Sequence, residues 1–540
     1  MERPSARPAA TSLTRSEAAL AGLAGGLLAT AGMLVFGLAT RQPTIAELLA
    51  DAIVRLTPLA VIVPLTEALG ARGKHLLFAV VLLGQLATGA GVAALVATRR
   101  HPLRSSAIVL VLLLSLVALI DFAIAGREAS GAANAAGPWA VGAAMILMVT
   151  LYAGGYAVTA AALGRTRAAP PMRAARRELL GRSALLAGGL VLGGGVLRWL
   201  GPRLTLPGQA APQDATVGPR LAGDAASPAA LAQALQLGVP GMPAEITPND
   251  SFYVVSKNVF RDPAVDGPSW HLTVDGLVDH SMELSYSDLL ALPSTRQYFT
   301  LQCISNEIGG DLIGNAAWTG VPLGELLRRA GVRDTVVQVV LHGADDYVDG
   351  IPLSKAMEPG TILAFEMNGA PLPQAHGFPT RLLAPDTYGM KNVKWVTRIE
   401  LVDEVLLGYW QVRGWNDDEP MHTTSRIDVP HNGTTLRPGP QYVGGIAVAG
   451  SRGIAGVEVS TDGGRTWQPA VLKAPLGPYT WVQWLYAWEA AVDPDSPFAK
   501  LLVRATDGTG VVQPPTVHEP LPNGASGWDA ILVRVDQPSA

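Results

Sequence analysis

The chain has 540 residues, of which 49% are hydrophobic and 16% charged, with a formal net charge of −4. That length exceeds one ordinary domain, and the slightly acidic balance gives no support to a nucleic-acid partner. Its single cysteine, Cys303, excludes an internal disulfide, so any function of that thiol is carried by it alone.

Residues 1–200 read as a transmembrane region. Apolar runs at 17–39, 76–97, 105–126 and 137–163 are long enough to cross the ~30 Å hydrocarbon core as helices, and 183–200 is a fifth, shorter run. Residues 43–70 carry Glu47, Asp51, Arg55 and Glu67. Each such charge costs about 2.5 to 3.5 kcal/mol at the bilayer centre, so this stretch is expected to lie in the interface. Arg99, Arg100 and Arg104 mark one cytoplasmic loop, and Arg165, Arg167, Arg173, Arg176, Arg177 and Arg182 mark another. The N-terminus, with Arg3, Arg7 and Arg15, is then inside, and the chain beyond the fifth run is outside; Arg72 and Lys74 count against this topology. His75 and His101 sit at loop edges, so no transmembrane haem is expected. The Ala21–Gly26 stretch reads as close helix packing. Arg176-Arg177, followed by a short Gly-rich apolar run, resembles a twin-arginine export signal, against the alternative of a plain cytoplasmic anchor.

Residues 201–246 turn to Pro, Ala and Gly without a periodic apolar face and are expected to be an extended linker. From 247 to 425 strands and short helices alternate irregularly, which predicts an α+β domain. Trp270–Val274 alternates as a strand, Ser285 and Ser287 can cap a helix near Asp288, and Pro322 can open a helix that Gly331 ends. Residues 426–540 predict an all-β domain: Val457–Ser460 alternates, Asp462-Gly463-Gly464 turns, and Trp484, Tyr486 and Trp488 share a face, as do Leu501, Val503 and Ala505. Short strands of this spacing fit an immunoglobulin-like sandwich.

Taken alone, a lone cysteine is more often a small buried hydrophobe than a ligand. Its surroundings change that reading. Leu301-Gln302-Cys303-x-x-Asn306 followed by Ile313–Gly320, and downstream His376–Arg381 with Gly389–Trp395, resemble the sulfite oxidase family of molybdenum enzymes across residues 245 to 535. The resemblance implies a molybdenum-molybdopterin (Mo-pyranopterin) oxidoreductase in which Cys303 is the protein ligand of the metal. It also implies Arg381, Lys391 and Lys394 as anion-binding cations, His376 as a donor to the cofactor, and Asn306, Phe252 and Tyr253 as part of its site. A paired-lysine sequence is otherwise a solvated face, and an aromatic pair otherwise core. The family's second domain often makes a dimer, which these residues do not themselves reveal.

The sequence departs from the sulfite-oxidising pattern where arginines are expected. Glu307 and Ile308 follow the cysteine motif, Val255, Ser256 and Lys257 follow the Phe-Tyr pair, and Trp415 replaces the active-site tyrosine. A neutral substrate such as a sulfoxide or N-oxide is therefore expected over sulfite, with two-electron oxygen-atom transfer and an electron partner, quinone or redox protein, that the chain does not encode. The competing reading is a non-enzymatic membrane-anchored surface protein displaying the β-sandwich. It offers no reason for Cys303, Lys391 and Lys394 to occur together.

Overall fold

A computed structural model describes residues 13–40, 46, 53, 72–97, 105, 108–109, 138–167, 227–258, 262–416, 420–492 and 496–536. The chain divides into two compact units, residues 1–205 and residues 206–540 apart from 258–261, which group with the first.

In the first unit, α1 (Arg15–Thr40), α2 (Arg72–Leu95) and α3 (Pro138–Arg167) form where the sequence has its first, second and fourth apolar runs. α1 packs against both others, and small residues set the spacing. A Cβ on Gly22 would stand 2.5 Å from the Gly89 carbonyl oxygen and from the Ala93 Cβ, and one on Gly25 2.5 Å from the Tyr152 carbonyl oxygen. Close approach of this kind is what glycine permits between helices. The Tyr152 hydroxyl donates to the Gly89 carbonyl at 2.9 Å. The segments Arg15–Phe36 and Ile146–Leu163 are long and apolar enough to cross a membrane. The runs at 105–126 and 183–200, the 43–70 stretch, and Arg176 and Arg177 fall, apart from scattered positions, outside the described residues.

The second unit begins with a departure from expectation. Residues 227–246, taken above as part of a linker, are folded onto the following domains. Ser227 accepts from the Ala230 amide and caps α4 (Pro228–Leu237), whose Leu231 and Leu235, one turn apart, are buried with Val429 and Leu485. Beyond it the Pro243 and Glu245 carbonyls accept from Gln483 Nε2 and Trp481 Nε1. Isolated leucines among alanines carry too weak a periodic signal for a ten-residue helix, and the partner face settles it.

The α+β part has ten strands in chain order: β1 (His271–Gly276), β2 (Met282–Ser285), β3 (Thr295–Gln302), β4 (Ile313–Pro322), β5 (Gln338–Gly343), β6 (Val348–Pro352), β7 (Ile362–Met367), β8 (Ala370–Pro371), β9 (Arg381–Leu383) and β10 (Val396–Val402). One sheet has the order β2-β1-β10-β5-β6, with β1 and β10 parallel; the other has β3-β4-β7-β8, with β9 on β7. Ser285 and Asp288 form a reciprocal cap on α5 (Tyr286–Ala291), and Gly331, at φ 73°, ends α6 (Leu323–Ala330). Leu272, Val274, Leu326, Leu327, Val339 and Ile399 fill the core of the first sheet; Phe252, Phe299, Leu301, Trp318 and Leu383 fill that of the second.

The C-terminal part is β-rich: β11 (Thr424–Val429), β12 (Thr435–Leu436), β13 (Gly439–Val448), β14 (Ile454–Ser460), β15 (Gln468–Pro469), β16 (Val471–Leu472), β17 (Val482–Ala490), β18 (Phe498–Asp507) and β19 (Asp529–Val535). Its sheets run β11-β13-β17-β16 and β12-β19-β18-β14-β15. Val443, Val482 and Trp484 from one pack with Val457, Val459, Leu501, Val503 and Val533 from the other, closing a sandwich.

Candidate functional site

β3 pairs with β4 as far as Gln302 and Ile313, so Cys303 is the first residue of the connection between them. That connection is held by its own polar groups. The Cys303 amide donates to the Leu312 carbonyl at 2.9 Å, the Asn306 amide to the Cys303 carbonyl at 3.1 Å, and the Leu312 amide to Asn306 Oδ1 at 2.8 Å. Asn306, expected at the cofactor, thus has its side-chain oxygen committed to shaping the cysteine loop. The Cys303 thiol is buried and lies 3.0 Å from the Ser305 hydroxyl. Burial pushes its pKa up and the Ser305 contacts pull against that shift. A buried thiol forms its thiolate only where a nearby positive charge, a metal ion among the candidates, offsets burial.

Gly389 marks the close approach of a second segment. A Cβ there would lie 3.0 Å from the Tyr253 hydroxyl, 3.4 Å from the Gln302 carbonyl oxygen and 3.8 Å from Cys303 Cα. Tyr253 stacks on Phe252 at 5.4 Å, and Phe252 meets Trp318 and His376 edge-on. Phe252 is therefore part of the core beneath the site, with Tyr253 above it. Burial and Cys303 push the Tyr253 phenol far up while Arg381 pulls it down, so that hydroxyl is within electrostatic reach of both the thiol and the guanidinium.

Arg381 is the unusual cation. Its side chain is buried, its NH1 and NH2 donate to the His376 and Asn392 carbonyls at 3.2 and 3.1 Å, and its Nε has no hydrogen-bond partner. Carbonyl dipoles and the face of the Trp318 ring, 5.5 Å from its Cζ, meet its charge without a carboxylate among its hydrogen-bond partners, and burial lowers its pKa to about 10. Gly377, at φ 110°, turns the chain so that Lys394 flanks Arg381: a Cβ on Gly377 would stand 3.1 Å from the Cβ of each. The Lys394 ammonium donates to the Ala375 carbonyl at 3.1 Å and sits 4.1 Å from the Trp395 ring centroid. His376 places Nε2 2.9 Å from the Asn249 carbonyl, and burial drops its pKa to about 4. A carbonyl only accepts, so Nε2 carries the proton and Nδ1 of the neutral ring is an acceptor. In that tautomer the proton of His376, expected to donate to the cofactor, goes to the Asn249 carbonyl.

Lys391, expected to bind an anion, has a partner within the protein. Its ammonium pairs with Asp349 at 2.7 Å and donates to the Gly350 carbonyl at 2.8 Å, both side chains being buried. Its charge is thus balanced inside the protein. Sequence reading missed Asp349 and with it Tyr347, whose single hydroxyl proton is shared between the Met390 carbonyl at 2.8 Å and Asp349 at 3.2 Å. Burial and then Asp349 push the Tyr347 phenol well up, and Cys303 adds a smaller push, so this group also lies within electrostatic reach of the thiol. The alternation of Tyr347 and Asp349 about Val348 was the available signal for one shared face. Trp415 packs on a cluster holding Ile304, Tyr388 and Met390, neighbours in sequence of Cys303, Gly389 and Lys391. Lys257 and Arg413 both stand over the Tyr409 ring, at 5.5 and 3.6 Å from its centroid, and that ring is 5.6 Å from Tyr347. Arg413 is a cation near this wall that sequence reading left out.

A buried thiol, an unpaired guanidinium nitrogen and a glycine-made approach between them fit a soft metal carried on an anionic pterin. Comparisons with known proteins agree. A family described as "Oxidoreductase molybdopterin binding domain" matches residues 260–410, and one described as "Mo-co oxidoreductase dimerisation domain" matches residues 418–522. Mitochondrial sulfite oxidase of Rattus norvegicus is 32% identical over 319 residues, covering 50% of this chain and 58% of that protein. Sulfite oxidase of Arabidopsis thaliana is 28% identical over 334 residues, covering 51% and 83%. The uncharacterized oxidoreductase YuiH of Bacillus subtilis (strain 168) is 33% identical over 151 residues, covering 28% and 74%. The chain thus spans 58% of the length of the rat protein. Among solved structures, the sulfane dehydrogenase SoxCD from Paracoccus pantotrophus has 24% identity and a TM-score of 0.48, over 54% of this chain and 84% of that one.

Proposed function

Because the chain belongs to the sulfite oxidase family of molybdopterin-dependent oxidoreductases, we propose that it is a membrane-anchored molybdenum oxidoreductase with Cys303 as the metal's protein ligand. The observation that carries this reading is Arg381: a buried cation with an unpartnered nitrogen, in the domain that also holds the only thiol in the chain. Molybdenum-molybdopterin supplies a metal that cycles between oxidation states two electrons apart, suited to oxygen-atom transfer. Arg381 and Lys394 hold the pterin's anionic and polar edges, the Tyr253 hydroxyl points a neutral donor toward the thiol, and His376 Nδ1 offers an acceptor. Family membership removes the ground for a non-enzymatic surface protein.

The substrate we favour is neutral, a sulfoxide or N-oxide. In sequence, Glu307 and Ile308 follow the cysteine motif where an oxyanion site would need cations, and an unpaired charge in a partly buried pocket costs several kcal/mol. The second reading, sulfite, draws on Lys257 and Arg413 at Tyr409 and on the sulfite oxidases among the relatives. A sulfite kcat/KM of about 10⁴ M⁻¹s⁻¹ or more would decide for it. Metal and pterin analysis of purified protein tests the enzyme itself: stoichiometric molybdenum is expected. Cys303→Ser is expected to keep much of the pterin and lose turnover, since an alkoxide is a harder, weaker donor. Retained turnover in that variant removes Cys303 from the mechanism.

Anchoring rests on the two apolar helical segments and on the loop arginines. Residues 247–540 then face outward, with export through Arg176-Arg177, a quinone or redox protein as electron partner, and an immunoglobulin-like C-terminal domain forming a homodimer. Protease digestion from the outer face should reach residues 247–540. It should cease to do so in the Arg176→Lys/Arg177→Lys chain; undiminished cleavage there would make the pair merely topological.

A further inference from the structure

The metal-ligand loop does not stand on its own domain alone. On β11, Ile427 is buried in the sandwich core, so Thr424 and Arg426 alternate onto the opposite face, which in an isolated sandwich would meet water. Here that face is covered by the segment around Cys303. The Thr424 hydroxyl donates to Gln302 Oε1 at 3.1 Å, one residue before the cysteine. Arg426 NH1 donates to the Gly310 carbonyl at 2.6 Å, at the far end of the cysteine loop. Asp428 holds the same guanidinium, through NH2 at 2.7 Å.

Further contacts line up along the same strip. The Thr300 amide donates to the Tyr479 carbonyl at 2.9 Å, and the Trp481 amide donates to the Thr300 hydroxyl at 2.8 Å. A Cβ on Gly309 would stand 2.7 Å from Asp529 Oδ1, and one on Gly527 2.8 Å from Ile308 Cδ1. The sandwich therefore grips the chain on both sides of Cys303 while leaving the cysteine itself free to point into the site.

We propose that Thr424 and Arg426 of the β-sandwich are positioning residues for Cys303, fixing Gln302 and Gly310 so that the sulfur meets the metal in one geometry. This rests on the reading of Cys303 as the ligand. The physical reason for borrowing the second domain is that a ten-residue loop closed only by its own turns opens locally at little cost, and a misplaced ligand alters the metal it binds. A charge-assisted bond to Gly310 and a hydroxyl bond to Gln302 raise that cost at both ends.

Hydrogen exchange of the full-length holoprotein tests the clamp. Thr424→Val keeps the side chain's shape and deletes the donor; Arg426→Lys keeps the charge and deletes the fork that spans Gly310 and Asp428. Amides of Cys303, Asn306, Gly310 and Leu312 are expected to exchange about three- to tenfold faster in the first variant and about tenfold or more in the second. Amides pairing β13 with β17 should keep their rates. In the same preparations the metal's paramagnetic resonance spectrum should shift while molybdenum content stays at the parent level. Unchanged exchange across 303–312 in either variant overturns the proposal. So does acceleration shared equally by β13 and β17, which would make the two residues ordinary fold contacts, and so does an unshifted spectrum. Failure of the underlying reading shows separately, as undiminished turnover in Cys303→Ser.

Discussion

Two buried cations eleven residues or fewer apart in sequence line the surroundings of Cys303 in opposite ways. Lys391 has an acid of its own, Asp349, and two protein acceptors within 2.8 Å. Arg381 has carbonyls and an unpartnered Nε. Burying a charge is costly unless it is paired, so the first arrangement is complete as architecture while the second leaves a cation without a counter-charge of its own. Sequence reading gave both residues the same role. Their difference shows that a buried cation indicates a ligand only when the protein leaves it without a counter-charge.

The largest expected effect breaks the complete pair. Lys391→Met strands a buried Asp349 carboxylate and should cost about 3 to 5 kcal/mol in unfolding free energy, read by denaturant titration and equal in cofactor-loaded and cofactor-free protein. A loss seen only in loaded protein would place Lys391 on the cofactor. Arg381→Met should act the other way. Loaded protein should retain the pterin about ten- to a hundredfold less tightly, the worth of a charge-assisted bond of about 1.5 to 3 kcal/mol, while the cofactor-free protein keeps its stability. A stability loss in cofactor-free Arg381→Met matching that of Lys391→Met would erase the contrast.

His376 sharpens the Arg381 side through pH. Its folded pKa, about 4, lies below the ordinary 6.5, with burial as the main cause and Arg381 and Lys394 adding to it. Above pH 6.5 both folded and unfolded states hold the neutral ring and nothing is lost. As pH falls from 6.5 toward 4 only the unfolded state gains the proton, so stability drops, by about 2 kcal/mol between pH 7 and pH 5. His376→Gln, which keeps a donor for the Asn249 carbonyl, should flatten that slope in calorimetric scans by about the same amount; an unchanged slope assigns it to other groups. The smallest effect lies outside both walls: Ser285→Ala removes the α5 cap and should cost about 1 kcal/mol with cofactor content unaltered.

Much of this molecule could be read locally. The cap at Ser285, the stop at Gly331, and the buried face of Leu501, Val503 and Ala505 each follow from neighbouring residues and stand as expected, although the helix opens at Tyr286, so that Ser287 lies inside it. The roles of Lys391, Asp349 and Tyr347 depend on partners that chain distance hides: Lys391 and Asp349 are 42 residues apart, and Thr424 and Gln302 122. The helix at Pro228–Leu237 was missed for the same reason, since its two buried leucines acquire meaning only against Val429 and Leu485.

The sequence by itself determined which chemistry the chain can host. One cysteine in its motif, an arginine and lysines in theirs, apolar runs of membrane-crossing length and alternating strands are properties of residue type and spacing, which persist before any folding. Tertiary structure alone decided which cation is left unpaired, which tautomer His376 holds, and that the sandwich grips the loop of Cys303 from both sides. Those outcomes depend on burial and on counter-charges from distant segments, because the strength and sign of an electrostatic effect are set by what surrounds a group once water has been removed.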